Sequence, residues 1–239
     1  MKYMTKSWYN NMTKLFIPIE FNECQDANTF SDTVFKKYYL KDLEEYLDFT
    51  ECYPTRKKAI DLFEKDFEKK ILLVKEYFPS EFLENVKDLR MLALGKVEKE
   101  NIDYINKILN QKRLNCEKIL EEYDMEYNKI KDKLSNNIKK NSTFHDCMIT
   151  EIIKTNNKLV IKIDNSANSG NISIIEFKDY EIIEEEMEFI NGWILYDEIY
   201  IVENEYELHL LIEAPKDNNF ELGYFTIKAK DMIFNASKS

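Results

Sequence analysis

The spacing of apolar residues changes once along this chain, at Asn141 and Ser142. Before this point apolar residues recur every three or four positions, which predicts amphipathic helices. After it they alternate with polar residues, which predicts strands with one buried face. We therefore predict an α+β fold, with a helical domain over residues 1–142 followed by an acidic antiparallel β domain over residues 143–239.

The helical domain is predicted to be a bundle with one long helix. Three shorter helices are expected before it: one over about residues 29–49, one that begins at Pro54 and ends at Pro79, and one that begins at Ser80 and ends at Gly95. Residues 97–140 lack glycine and proline and keep an apolar stripe, as one helix or as two packed halves. Lys112 interrupts the stripe, so we favour packing within the bundle over a dimeric coiled coil. The oligomeric state is left open.

The last third predicts a small antiparallel sheet, arranged as a sandwich or a partly open barrel. A first strand opens at His145, and Asn168-Ser169-Gly170-Asn171 is typical of a turn between strands. The other alternating segments lie at about residues 159–163, 172–177, 180–184, 193–202, 206–213 and 220–227.

The net charge of −11 lies entirely in the β part. Residues 143–239 hold 8 basic and 19 acidic residues, whereas residues 1–142 hold 26 of each. Such a surface repels nucleic acid and suits a partner with a basic surface, although solubility is the commoner reason for surface acid. Without an apolar run of membrane-spanning length or a leader pattern, we expect a cytoplasmic protein that contacts neither membrane nor nucleic acid.

The sequence lacks the residues that several kinds of functional site require. The 4 glycines are dispersed, which argues against phosphate-binding loops, and the 2 histidines are too few for histidine-rich metal sites. The 4 cysteines, which include Cys52, are also far apart in the sequence. This spacing is expected if they are small buried residues in a reducing compartment. We predict no cofactor and no metal, and assign no catalytic residue.

One candidate site begins at the first strand. His145 and Cys147 fall on one face of that strand and Asp146 on the other. A Cys/His metal site that includes His209 can be imagined, but a strand histidine is more often a hydrogen-bonding partner. Aromatic residues could line a pocket or an interface, or simply pack in the core: Trp8, Tyr9, Phe16, Trp193, Tyr196 and Tyr200. The candidate site residues are His145, Asp146, His209, Trp193 and Tyr196.

A second candidate site is acidic. Within a longer run of carboxylates, the residues predicted to bind a partner are Glu184, Glu185, Glu186, Asp197 and Glu198. Two carboxylates held close together could also bind a hard cation or act as an acid/base pair. Consecutive glutamates near a turn are, however, usually only a solvated face.

The opening Met1-Lys2-Tyr3-Met4-Thr5-Lys6-Ser7-Trp8-Tyr9 resembles an uncharacterised bacterial domain-of-unknown-function family that begins Met-Lys-Tyr-Phe-Thr-Lys-x-Trp-Tyr, with Met4 where phenylalanine is usual. Segments at residues 145–146, 193–200, 206–209 and 228–231 are also similar to that family. The resemblance implies no activity. A strand that opens with His-Asp before an acidic β segment is also similar to some immunity proteins of bacterial toxin systems.

These observations favour a non-enzymatic binding protein whose acidic β domain engages a basic protein partner, as immunity proteins do. The alternative hypothesis is an enzyme or sensor that binds a small ligand, or a carboxylate-bound cation, between helices and sheet. A deep pocket with converging carboxylates would favour the second hypothesis.

Overall fold

The structure is a computed structural model that describes residues 1–15, 17–49, 55–141, 144–167, 172–217 and 219–236. Several predictions fall outside these residues: Phe16, Cys52, the helix start at Pro54, the domain joint at 142–143 and the turn at 168–171.

The described residues form seven α-helices and eight strands, which confirms the α+β class. The helices are α1 (Lys6–Thr13), α2 (Asp32–Phe49), α3 (Arg56–Tyr77), α4 (Ser80–Leu83), α5 (Leu89–Ala93), α6 (Lys99–Ile130) and α7 (Asn136–Asn141). The strands are β1 (Asn22–Glu23), β2 (Lys96–Val97), β3 (Cys147–Lys154), β4 (Lys158–Asp164), β5 (Ile172–Glu185), β6 (Trp193–Val202), β7 (Glu205–Lys216) and β8 (Asn219–Ala236).

The chain divides into two compact units. Residues 1–11 and 115–239 form the barrel unit, and residues 12–114 form the helical unit. The division falls within α6, so it does not coincide with the boundary predicted at residue 142. The difference arises because the second half of α6, α7 and the first residues of the chain pack with the strands. Whether residues 143–239 fold independently stays a prediction.

The barrel unit is built on six antiparallel strands. Their order around the barrel is β3-β4-β5-β8-β7-β6, and pairing of β6 with β3 closes it. Alternate residues of each strand point inward, so that Ile161, Ile175, Leu208 and Phe225 are fully buried. The described ladder between β6 and β3 covers only two residue pairs, whereas that between β7 and β8 covers eleven. The barrel is therefore closed by a short seam.

The helical unit has its own apolar core, to which α3, α4, α5 and α6 contribute. Thr55 caps α3 by accepting a hydrogen bond from the Lys58 amide, at 3.2 Å. The short strands β1 and β2 pair in parallel. Gly95, just before β2, has φ of 72°, and an added Cβ would lie 2.1 Å from the Glu20 carbonyl oxygen. Only glycine fits there without a backbone shift.

Two local predictions need correction, and one question that the sequence left open is decided. The helix predicted from Ser80 to Gly95 is two short helices, because Asp88 accepts a hydrogen bond from the Arg90 amide and caps α5. The stripe over residues 97–140 is broken after Ile130, and α7 begins where Ser135 accepts a hydrogen bond from the Ile138 amide. The two strands predicted at 172–177 and 180–184 are one strand, β5.

None of the described helices has the length and apolar character needed to cross a membrane.

Candidate functional site

The first residues of the chain are fixed to the barrel by a buried carboxylate. Glu198, in β6, has no solvent exposure. Its carboxylate accepts hydrogen bonds from the backbone amides of Lys2, Tyr3 and Met4, at 2.8, 2.8 and 2.6 Å. The hydroxyl of Tyr200 donates a fourth, at 2.7 Å. Four donors on one carboxylate replace the water that this charge loses on burial.

Two further contacts hold this segment. The Lys6 amide donates to the Tyr224 hydroxyl at 2.7 Å, and the Lys6 ammonium pairs with Glu186. The Trp8 indole N–H donates to the carbonyl of Cys116 in α6, at 3.3 Å. Its ring also packs edge-on against Tyr196, with centroids 4.8 Å apart. Residues 1–11 are therefore an integral layer of the barrel unit.

The seam of the barrel leaves backbone groups of β6 without a strand partner, and side chains satisfy them. The Ile199 amide donates to the hydroxyl of Tyr123 in α6, at 2.9 Å. His145 Nδ1 contacts the carbonyl oxygen of Leu195. Side chains thus take the place of a neighbouring strand, as buried backbone groups require.

An open groove of about 330 Å³ runs along this seam. Apolar and aromatic side chains form most of its lining, and the other lining side chains are two carboxylates and one imidazole. The lining residues are Met4, Leu120, Tyr123, Asp124, Tyr127, His145, Leu195, Tyr196, Asp197 and Ile199. No lysine or arginine is among them.

Asp197 is a groove carboxylate whose acidity is strongly perturbed. Its carboxylate accepts a hydrogen bond from the Phe144 amide, which favours the charged form. Desolvation by the surrounding protein outweighs that bond and, with the neighbouring charge of Glu198, raises the pKa of Asp197 to about 7. Tyr123, on the opposite wall, has its pKa raised as well, mainly by burial. The groove therefore holds a carboxylate with a single described hydrogen-bond donor, in a partly dry setting.

The predicted acidic residues lie in different places. Glu185 pairs with Lys154, and Glu186 pairs with Lys6. Glu184 is half-buried and lies 3.4 Å from the hydroxyl of Thr226. Asp197 lines the groove, and Glu198 is buried under the first residues of the chain rather than exposed.

The charge surplus of the barrel unit is not neutralised by its own lysines. The unit holds 25 acidic and 16 basic residues, a net charge of −9. Every lysine described in the strands already pairs with a carboxylate: Lys154, Lys158, Lys162, Lys178, Lys216, Lys228 and Lys230. Exposed carboxylates such as Glu181 and Glu188 are surplus to these pairs.

The other predicted site residues are partly brought together. His145 and Tyr196 line the groove, with ring centroids 5.0 Å apart, and the imidazole of His145 lies 3.5 Å from the carboxylate of Asp146. Trp193 lies at the start of β6, outside the groove lining.

His209 lies apart from the groove, on β7. Its Nε2 is 3.0 Å from Glu207, its Nδ1 is buried without a described partner, and burial lowers the pKa of its imidazole. Within the described part of the chain, no three metal-ligating side chains are grouped to hold a metal ion.

Two features of the site were not predicted. Tyr123 and Tyr127 lie within residues 97–140, for which the sequence predicts only an apolar packing stripe. The backbone amides of residues 2–4 have no side-chain pattern that could reveal their role. Trp8 and Tyr9 were noted as aromatic residues near the start, which is the one trace in the sequence that this segment packs.

The fold and the seam groove define an α+β protein with a closed six-stranded antiparallel barrel. Comparison with family models matches residues 3–222 to DUF4085, described as a protein of unknown function. The chain belongs to this family, which confirms the predicted membership of a domain-of-unknown-function family.

The other comparisons add little. A search of curated proteins finds no match. The chain is similar, at 16% identity and a TM-score of 0.27, to a solved structure titled as an uncharacterized protein from Neisseria gonorrhoeae; the match covers 38% of this chain and 92% of that one. A likeness this weak carries no argument about fold or function.

Proposed function

We propose that this protein is a non-enzymatic cytoplasmic binding protein whose barrel unit engages a basic protein partner, in the manner of an immunity protein. The proposal rests on one observation. The barrel unit has a net charge of −9, and its surplus carboxylates have no described cationic partner. Because the strand lysines are already paired, a partner's cations would meet carboxylates that have no cation of their own. Such a field speeds encounter with a basic surface.

Two further observations support this proposal. Cys24 and Cys116 are buried and unbridged, as expected in a reducing compartment. The first segment is held by hydrogen bonds to the closed barrel, and a surface that is formed before binding loses little entropy on binding.

The proposal is tested by recovering the partner and measuring its association. A pull-down from the native cell identifies the partner, and association is then measured at low and high salt. Glu181 and Glu188 are exposed and make no described ion pair, so the E181K/E188K variant changes the field without breaking a contact. We expect its on-rate at low salt to fall by about three- to tenfold, and the difference to shrink at high salt.

A matched control carries the same charge change elsewhere. Glu64 and Glu68 are exposed on α3 of the helical unit, so E64K/E68K should change the on-rate much less. Equal on-rates for both variants and the unmodified protein, at both salt concentrations, would mean that the acidic surface serves solubility alone.

The groove supports the second hypothesis, a sensor or enzyme for a small ligand. Asp197, with a pKa raised to about 7, could exchange a proton near neutral pH. We favour binding over catalysis because acid/base catalysis needs a second group beside Asp197, and the imidazole in the groove, that of His145, already contacts a backbone carbonyl.

A further inference from the structure

We propose that the seam groove binds the cationic head of a lysine or arginine side chain that the partner protein presents. This inference deepens the proposed function, because it names the contact that would hold the complex after the acidic surface has steered it. The groove lies in the barrel unit alone and is lined by described residues throughout.

The shape of the groove suits one long side chain. Its volume of about 330 Å³ is at the lower end of the range of about 300–1,000 Å³ that ligand pockets span. Leu120, Leu195 and Ile199 offer apolar surface to the methylene stem of such a side chain. Tyr123, Tyr127 and Tyr196 offer aromatic rings, which attract a cation placed near their faces.

The charge of the groove selects a cation over a neutral group. Asp197 has one described hydrogen-bond donor, the Phe144 amide, whereas its neighbour Glu198 has four. A carboxylate accepts up to about four hydrogen bonds, so Asp197 retains capacity for a ligand. An incoming ammonium or guanidinium would restore the solvation that burial removed from this carboxylate.

The first experiment titrates the full-length protein with a single charged side chain. Nα-acetyl-lysine N-methylamide is added to ¹⁵N-labelled protein and followed by NMR, and Nα-acetyl-norleucine N-methylamide serves as the uncharged probe. We expect shifts confined to the groove, and binding of the norleucine compound to be about tenfold weaker or more. Equal binding of the two compounds, shifts spread over the surface carboxylates, or no binding would overturn the proposal.

Two variants connect this binding to Asp197. D197N keeps an oxygen for the Phe144 amide but removes the charge, and it should weaken lysine-probe binding about tenfold. D217N makes the same chemical change at an exposed turn and should bind the probe as the unmodified protein does. If D197N binds the probe unchanged, or if D217N weakens it equally, Asp197 is not the anion that holds the cation.

The pH dependence gives an independent readout. The titratable groups that line the groove with Asp197 are Tyr123, Asp124 and Tyr127 from α6, Tyr196 from β6, and His145, and Glu198 is the neighbouring charge on β6. Since Asp197 attracts the cation only when it is ionised, affinity for the lysine probe should rise as pH increases through about 7, and D197N should abolish this rise. Histidine side chains titrate in the same range, so H145Q must keep the rise. Loss of the rise in H145Q would assign it to the imidazole and overturn the role given to Asp197.

Failure of this inference is distinguishable from failure of the proposed function. The probe titration needs no partner, so a negative result there leaves the E181K/E188K experiment intact. Conversely, the groove could bind the lysine probe while E181K/E188K leaves the association with the partner unchanged. That result would keep the groove as a binding site and would rule out the acidic surface as the steering surface. With the recovered partner, D197N should raise the off-rate more than it lowers the on-rate.

Discussion

Replacing Glu198 by alanine should release the first residues of the chain from the barrel. The substitution removes the acceptor of four hydrogen bonds, three of them from backbone amides. A buried donor left without a partner costs about 1–3 kcal/mol, so keeping all four donors in place would cost about 4–12 kcal/mol.

The burial of apolar side chains opposes this release, because the first residues of the chain keep that burial only while they stay packed on the barrel. Met4 and Trp8 are 5% and 4% exposed, and each contributes about 1.5–3 kcal/mol by burial. Together these give about 3–6 kcal/mol, and the segment also recovers about 1–2 kcal/mol of conformational entropy per residue when it is released. Release is therefore the lower-cost response, and the loss of unfolding free energy in E198A should stay below about 6 kcal/mol.

Hydrogen exchange and fluorescence measure this release. The amides of residues 2–4 should lose protection in E198A, and in a W193F background the emission of Trp8 should shift towards that of a solvated indole. E207A is a suitable control, because the only described hydrogen bond of the Glu207 carboxylate is to His209 and no amide depends on it. Protected amides at residues 2–4 in E198A would refute the assignment of Glu198 as the anchor.

Two stability predictions accompany this one. The pKa of Asp197 in the folded protein, about 7, exceeds the ordinary aspartate value of 3.8. The folded state therefore binds more protons than the unfolded state between these values, and Asp197 makes stability fall as pH rises across that window. D197N should therefore flatten this part of the urea-unfolding profile and stabilise the protein above pH 7 by up to about 4 kcal/mol; an unchanged profile would contradict the pKa. G95A should destabilise the helical unit by several kcal/mol in thermal unfolding, since its Cβ meets the Glu20 backbone, whereas G223A, whose Cβ meets the flexible Met187 and the ring edge of Phe189, should cost less. Equal losses would refute the backbone argument.

The change of apolar spacing predicted the helices and strands well because burial in each element depends on a short local period. The boundaries of the helices were set by side chains that compete with the helix for backbone hydrogen bonds. Asp88 and Ser135 are capping residues inside apolar stripes, and each ends a predicted helix by bonding an amide that the helix would otherwise use. Asp179, where the predicted strand gap fell, takes a positive φ of 48° within the continuous strand β5.

The candidate site was less predictable, since it depends on contacts between residues far apart in the sequence. His145, Tyr196 and Asp197 were singled out for their chemistry, and the structure brings these three to one groove. Composition alone could not separate Glu198 from its neighbour Asp197. Both are strand carboxylates, and only the path of residues 2–4 decides which of them is saturated with donors.

The seam explains why the barrel has a groove at this place. A ladder of two residue pairs closes the barrel between β6 and β3, so β6 must satisfy its remaining edge groups by other means. Tyr123 and His145 do so with side chains, which fill less space than a strand would and leave an opening between them. A longer ladder would stabilise the barrel further and would close this opening. The partly desolvated Asp197 destabilises the folded protein above pH 7, and such a cost is typical of a position retained for binding.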